Sequence, residues 1–196
     1  MEENNCPLVS VIMGAYNCEN TVERAIESII YQTYSNWEFL ICDDCSTDHT
    51  FKILKEIELK DSRIKVLHNK KNRRLAYSLN HCLKYAHGKY IARMDADDIS
   101  LPLRFEEQVS FLEGHPQYGV VGCSRIIFDK TGERYIRPSI EFPDKRILLK
   151  DTPFAHPTIM MRKEIYDDLN GYTVSNKTMR AEDLDLWFRF YSAGYQ

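Results

Sequence analysis

Two kinds of apolar run alternate along the first 115 residues. Leu8-Val9-Ser10-Val11-Ile12-Met13 is β-branched and nearly continuous between Pro7 and Gly14, which predicts a strand buried on both faces. After Asn20, a capping type, Val22, Ala25, Ile26, Ile29 and Ile30 recur at helical spacing. Trp37–Cys42 is a second strand pattern, running into the polar Asp43-Asp44-Cys45-Ser46-Thr47-Asp48. That stretch can cap a helix whose apolar positions are Phe51, Ile53, Leu54 and Ile57. Arg63–His68 predicts a third strand, and the basic Lys70-Lys71-Asn72-Arg73-Arg74 leads to a helix from about Leu75 to Ala86, closed by Gly88. Tyr90–Met94 is a fourth strand ending on Asp95-Ala96-Asp97-Asp98, and Leu103, Phe105, Val109 and Leu112 mark a helix after Pro102.

The order βαβαβαβ predicts an α/β fold: a mostly parallel sheet covered by helices, with ligands at the carboxyl ends of the strands. Beyond Tyr118 the pattern changes. Val120–Phe128, the turn Asp129-Lys130-Thr131-Gly132 and Glu133–Ile136 read as a hairpin that makes the sheet mixed. Thr158–Met161 is a short late strand, and Asn170-Gly171-Tyr172 a turn. Leu184, Trp187, Phe188 and Tyr191 at i, i+3, i+4 and i+7 predict an aromatic-faced helix. The chain stops soon afterwards, so a single domain over 1–196, truncated at its carboxyl end, is expected.

Composition narrows the function classes. With 43% hydrophobic and 28% charged residues, 196 residues suit one globular domain and argue against disorder or a coiled coil. A net charge of -3 gives no global reason to bind nucleic acid, so an anionic ligand must be held locally. The amino-terminal Met1–Asn5 is polar and acidic, and no apolar stretch approaches the ~18–20 residues of a membrane span. Six scattered cysteines read as reduced thiols of a cytoplasmic protein, and Cys42-Asp43-Asp44-Cys45 lacks the second ligand pair of a zinc site.

The chemistry concentrates in Asp95-Ala96-Asp97-Asp98. Like charges ~4 Å apart repel by about 4 kcal/mol at an effective dielectric near 20, so three carboxylates in four residues call for a neutralising partner. Oxygen-only ligands favour Mg2+ or Mn2+, commonly held by one or two carboxylates together with substrate phosphates. A solvated, capping Asp-rich turn is the plain alternative. Asp43-Asp44 ends a neighbouring parallel strand, which places a second acidic group on the same edge, able to accept hydrogen bonds from a base or ribose.

Val9–Asn17, Asp43–Asp48, Gly88–Asp98 and Glu182-Asp183-Leu184-Asp185-Leu186-Trp187 occur in that order, and together they resemble glycosyltransferase family 2, inverting nucleotide-sugar transferases of GT-A fold. The resemblance spans Leu8 to about Tyr191. It implies a Rossmann-like, GT-A-like mixed sheet and transfer from a nucleoside diphosphate sugar, a UDP-sugar by expectation, to an acceptor hydroxyl in surface polysaccharide or lipid-linked oligosaccharide synthesis. Position by position, Ala15, Tyr16, Asn17 and Asp44, with Asp43 alongside, would line the nucleotide pocket, and Asp95 the ribose or sugar. Asp97 and Asp98 match the metal end of the DxD motif. Asp183 matches the general base, with Glu182 its companion and Trp187 bracing the site. His156-Pro157-Thr158 resembles an acceptor-side segment. Arg73-Arg74 departs from the small residue common there, which reads either as an electropositive loop that sets Arg74 over the diphosphate or as a solvated basic loop. The expected partners are the donor and a saccharide or lipid-linked acceptor, with peripheral association at the inner membrane face through residues beyond the carboxyl end.

Other chemistries fit less well. A nicotinamide-dependent enzyme would need G-x-G-x-x-G where only Gly14 stands, and a nucleotidyltransferase would need a glycine-rich basic loop in place of Ala15-Tyr16-Asn17. The alternative retained is a non-catalytic nucleotide-sugar-binding module.

Overall fold

The computed structural model describes residues 6–128, 131–132 and 134–196. Met1–Asn5 and the turn residues Asp129, Lys130 and Glu133 lie outside the described residues. Strands β1 (Val9–Ala15), β2 (Trp37–Asp43), β3 (Ile64–His68) and β4 (Tyr90–Arg93) alternate with helices α1 (Val22–Ile30), α2 (Thr50–Glu58) and α3 (Leu75–Leu83). They are followed by α4 (Arg104–Gly114), β5 (Val120–Val121), β6 (Arg125–Phe128), β7 (Arg134–Arg137), β8 (Met160–Arg162), α5 (Lys163–Asp168) and α6 (Glu182–Ser192). The main sheet has the order β3-β2-β1-β4-β8-β5, with the first four strands parallel and β8 antiparallel to both its neighbours.

Strand parity sorts the core into two layers. Val9, Val11 and Met13 of β1, with Phe39 and Ile41 of β2, pack beneath α1, α2 and α4, whose contributions include Ile26, Leu54 and Phe105. Ile12, Leu40 and Cys42 face the other way, against Leu79 and Cys82 of α3, Ile165 of α5 and Trp187 of α6. The apolar runs of β1, β2 and β4 are strands covered on both faces, while edge strand β3 alternates, with Lys65 and His68 exposed.

The strand order reverses between β1 and β4, the place where open α/β sheets carry their ligand crevice. Because β8 is antiparallel, its beginning lies beside the end of β4, and Arg93 N–H donates to the Ile159 carbonyl at 3.0 Å. This brings the 156–159 segment to the same edge. At the opposite edge Gly88 enters β4 so close to β1 that a Cβ would stand 2.5 Å from Ser10 N and 2.7 Å from Leu8 O.

The later half corrects four expectations. The run Val120–Phe128 is not one strand: β5 joins the main sheet, while β6 pairs only with β7 in a separate ribbon. The break falls at residues 122–124, where Gly122 packs so tightly against Phe154 that a Cβ would stand 2.9 Å from its ring. The sheet is mixed through β8 and β5 rather than through the hairpin. Thr158, read as strand, closes a short 3-10 turn, His156–Thr158. In α6 the buried stripe is Leu186, Trp187 and Phe190, with Phe188 half exposed.

Candidate active site at the carboxyl edge of the sheet

The loops after β1 and β2 lock to each other. Ala15 is buried at the end of β1, and its carbonyl accepts from Asp44 N–H at 2.8 Å. Asn17, at φ 49°, receives the Thr47 N–H on its side-chain oxygen at 2.8 Å and donates its own N–H to Ser46 Oγ at 3.0 Å. Asx residues tolerate that left-handed geometry. Tyr16 between them is half exposed, which leaves its ring free at the rim of the crevice. Asp48 does the capping expected of this segment, accepting from Thr50 N–H at 2.9 Å.

Asp43 and Asp44 are both buried, and their carboxylates are engaged within the protein. Asp43 Oδ2 meets His68 Nδ1 at 3.0 Å and the Ser46 N–H at 3.2 Å, while its Oδ1 has no partner among the described residues. Asp44 accepts from Asn69 Nδ2 (2.7 Å), Arg73 N–H (2.8 Å) and Arg74 N–H (2.6 Å). It thereby fastens the basic loop that follows β3 to the end of β2. Arg74, at φ 69°, enters α3 there, and its guanidinium donates to Asn176 Oδ1 at 3.1 Å, tying the loop across to the segment ahead of α6. The sequence presented these acids as open acceptors; folding makes them anchors of the wall, with Asn69 an unforeseen member.

The acidic loop after β4 is built on two buried arginines that pattern reading passed over. Arg93 is 1% exposed and forms an ion pair with Asp95; its Nε has no partner among the described residues. Arg104 donates to the carbonyls of Arg93 (2.9 Å) and Ile159 (3.1 Å), clamping the end of β4 to the entry of β8, and burial pulls its pKa down to about 10. Asp97 and Asp98 form no ion pair among the described residues. Burial, and then the charges of Asp95 and Asp97, push the Asp98 carboxyl above the ordinary range. That shift is the mark of carboxylates short of positive charge. Asp97 and Asp98 therefore suit a hard divalent cation as oxygen donors. No group of three or more acidic, His or Cys side chains gathers to hold a metal among the described residues, so further ligands would have to come from substrate phosphate or water. A lone arginine inside the apolar run Tyr90–Met94 was the available signal for Arg93: a charge in an interior strand must find a partner.

The far wall comes from the 156–159 segment and the start of α6. Asp183 stands in the first turn of α6 beside Glu182, with its Oδ1 accepting from Leu184 N–H at 2.8 Å. Tyr172 lies buried beside this segment, and burial above all raises its hydroxyl well above the usual range, with Asp183 and Arg93 acting on it more weakly and in opposite senses. His156 turns inward: its Nε2 meets Tyr172 Oη at 2.8 Å, and burial, then the Arg93 charge, holds it well below the usual histidine range and thus neutral. Tyr172 in turn meets Tyr166 Oη at 2.9 Å. Trp187 is fully buried against Phe154, ring centroids 5.0 Å apart, so direct contact with an acceptor is corrected to a packing role beneath α6.

The family described as Glycosyl transferase family 2 matches residues 10–170. "Putative glycosyltransferase EpsE" of Bacillus subtilis (strain 168) is 52% identical over 194 residues, 98% of this chain and 70% of its own. The Escherichia coli protein named UDP-Glc:alpha-D-GlcNAc-diphosphoundecaprenol beta-1,3-glucosyltransferase WfaP is 34% identical over 95% of this chain and 71% of its own. Among solved structures, the mannosyltransferase PcManGT from Pyrobaculum calidifontis in complex with GDP-Man and Mn2+ superimposes with a TM-score of 0.75 at 22% identity, covering 97% of this chain. The chain spans 53% of that solved protein.

Proposed function

The chain belongs to glycosyl transferase family 2, and on that premise we propose that it moves a sugar from a nucleoside diphosphate sugar to an acceptor hydroxyl with inversion, acting as one transferase domain. The donor is a UDP-sugar and the acceptor a lipid-linked saccharide at the inner membrane face, a reading supported by what WfaP is named for. What carries the proposal is the acidic loop of Asp95, Asp97 and Asp98 at the sheet's switch point, where burial and neighbouring negative charge raise the Asp98 carboxyl.

In this reading Ala15, Tyr16 and Asn17 border the base, with Asp43 and Asp44 holding the surrounding wall rather than projecting from it. Arg93 orients Asp95 toward the ribose or sugar. Arg74, tethered to Asn176, lays positive charge beside the diphosphate. Asp97 and Asp98 would hold Mg2+ or Mn2+, which supplies Lewis-acid stabilisation of charge on the leaving diphosphate. Asp183 accepts the proton of the acceptor hydroxyl as that oxygen bonds to the anomeric carbon, from the face opposite the departing group, so configuration inverts. Glu182 adds negative charge beside the base. His156 and Tyr172 support the acceptor wall from behind.

The decisive experiment is transfer or slow hydrolysis of UDP-sugars by the chain with Mg2+, with Mn2+ and with chelator. Metal-dependent release of UDP supports the proposal. Tight nucleotide-sugar binding without turnover under every condition would leave a binding module instead.

A further inference from the structure

Tyr77 and His81 on α3 and Tyr85 in the turn that follows it form a row of rings at four-residue intervals, with neighbouring centroids 6.4 and 5.9 Å apart. The two tyrosines are stacked by cations from outside the helix or its start. Arg73 lies 4.3 Å over Tyr77, and Lys65 of β3 lies 4.2 Å over Tyr85. Beside this row runs a groove lined by Arg73, Tyr77, Asn80, His81, Lys84 and Val174.

Charge on this face is one-sided. Between residues 65 and 84 there are six cations, Lys65, Lys70, Lys71, Arg73, Arg74 and Lys84, and no Asp or Glu. The remaining chain holds 20 cations against 29 acids, so a protein of net charge -3 is strongly polarised. Nine of the other twenty lysines and arginines form ion pairs among the described residues, whereas none of these six does. The nearest carboxylates are taken: Asp44 by the loop backbone, and Glu58 by Lys55 and the Val66 N–H. Protection of an edge strand explains a lysine on β3, but not Lys70, Lys71, Arg73 and Lys84, which lie on the loop and the helix.

We propose that the α3 face, with the loop 70–74, docks the protein on an anionic lipid bilayer. Unpaired cations meet headgroup phosphates there, while tyrosine rings, apolar in body and polar at the tip, sit at headgroup level. The loop 70–74 also forms the wall of the nucleotide crevice through Asp44, so docking sets the crevice at a fixed height above the surface. This rests on the lipid-linked acceptor proposed above. Among the described residues no helix is long and apolar enough to cross a membrane.

The test is flotation of the whole chain with vesicles of phosphatidylcholine alone or containing about 30 mol% phosphatidylglycerol. Binding is expected only to the anionic vesicles, falling steeply as salt rises from about 50 to 300 mM. The double variant Lys65→Glu, Lys84→Glu, outside the loop that walls the crevice, should bind about tenfold or more weakly, with its circular dichroism and its activity on a water-soluble acceptor unchanged. Tyr135→Ser with Ile136→Ser on the exposed ribbon should bind as the parent does. Equal binding to neutral vesicles, loss through the ribbon variant alone, or a preference for a soluble acidic polysaccharide over vesicles overturns the proposal. Vesicle binding without any transfer would refute the enzymatic reading and leave this one standing; transfer without vesicle binding does the reverse.

Discussion

Asp183 and Asp98 carry different kinds of test. A general base contributes about a hundred- to ten-thousandfold, so Asp183→Asn should lower kcat by that factor and leave donor affinity nearly unchanged. Single-turnover kinetics beside nucleotide titration separates the two, and a variant with full turnover removes Asp183 from the chemistry. For Asp98, burial and the neighbouring charges of Asp95 and Asp97 raise the carboxyl above its ordinary value. A group more readily protonated when folded contributes stability that is complete below its unfolded pKa and is lost as pH rises through the folded value. Asp98→Asn should therefore melt above the parent at neutral pH in metal-free buffer, with the gap closing as pH falls toward the ordinary carboxylate value of 3.8. Melting curves across that range check it, and a pH-independent gap would count against it. The places of these acids, at the end of β4 and the start of α6, were open to sequence reading because the patterns that mark them are local. Trp187 was not, since the same side chain braces a site or fills a core according to which way α6 is rotated.

The loop between β3 and α3 shows how one carboxylate shapes a segment. Asp44 satisfies the N–H groups of Arg73 and Arg74 and the amide of Asn69, and an unsatisfied buried donor costs about 1–3 kcal/mol. Asp44→Ala should accordingly cost the protein about 2–4 kcal/mol. Denaturant unfolding gives the total, and hydrogen exchange should show lost protection concentrated at Arg73 and Arg74. Retained protection there would mean that other contacts hold the loop. Strands β1 to β4 and their helices were legible because each buries a regular stripe. The run Val120–Phe128 misled because periodicity carries no sign of which partner each half pairs with, β8 for Val120–Val121 and β7 for Arg125–Phe128.

Across the domain, the crevice lies where β1 and β4 diverge, and its walls come from segments as distant as Ala15 and Asp183. A ligand that bridges them binds only the folded state. At a hundred times its dissociation constant it adds about 2.7 kcal/mol, which for a chain of this size is a shift on the order of 5–10 °C. UDP with Mn2+ or Mg2+ is expected to produce that shift and NAD none, as thermal melts would show. Equal shifts from all nucleotides would remove the support for a nucleoside diphosphate donor.

The chain alone determined the alternation of strands and helices, the parallel core of the sheet and the edge at which the acidic loops emerge, because burial stripes and turn residues act over neighbouring positions. Only the tertiary structure decided which acids are wall and which are free. Arg104 reaches the β4–β8 junction from a separate helix, and Asp44 is consumed by a loop some thirty residues away. Such pairings depend on which side chains meet in space, which has no period along the sequence.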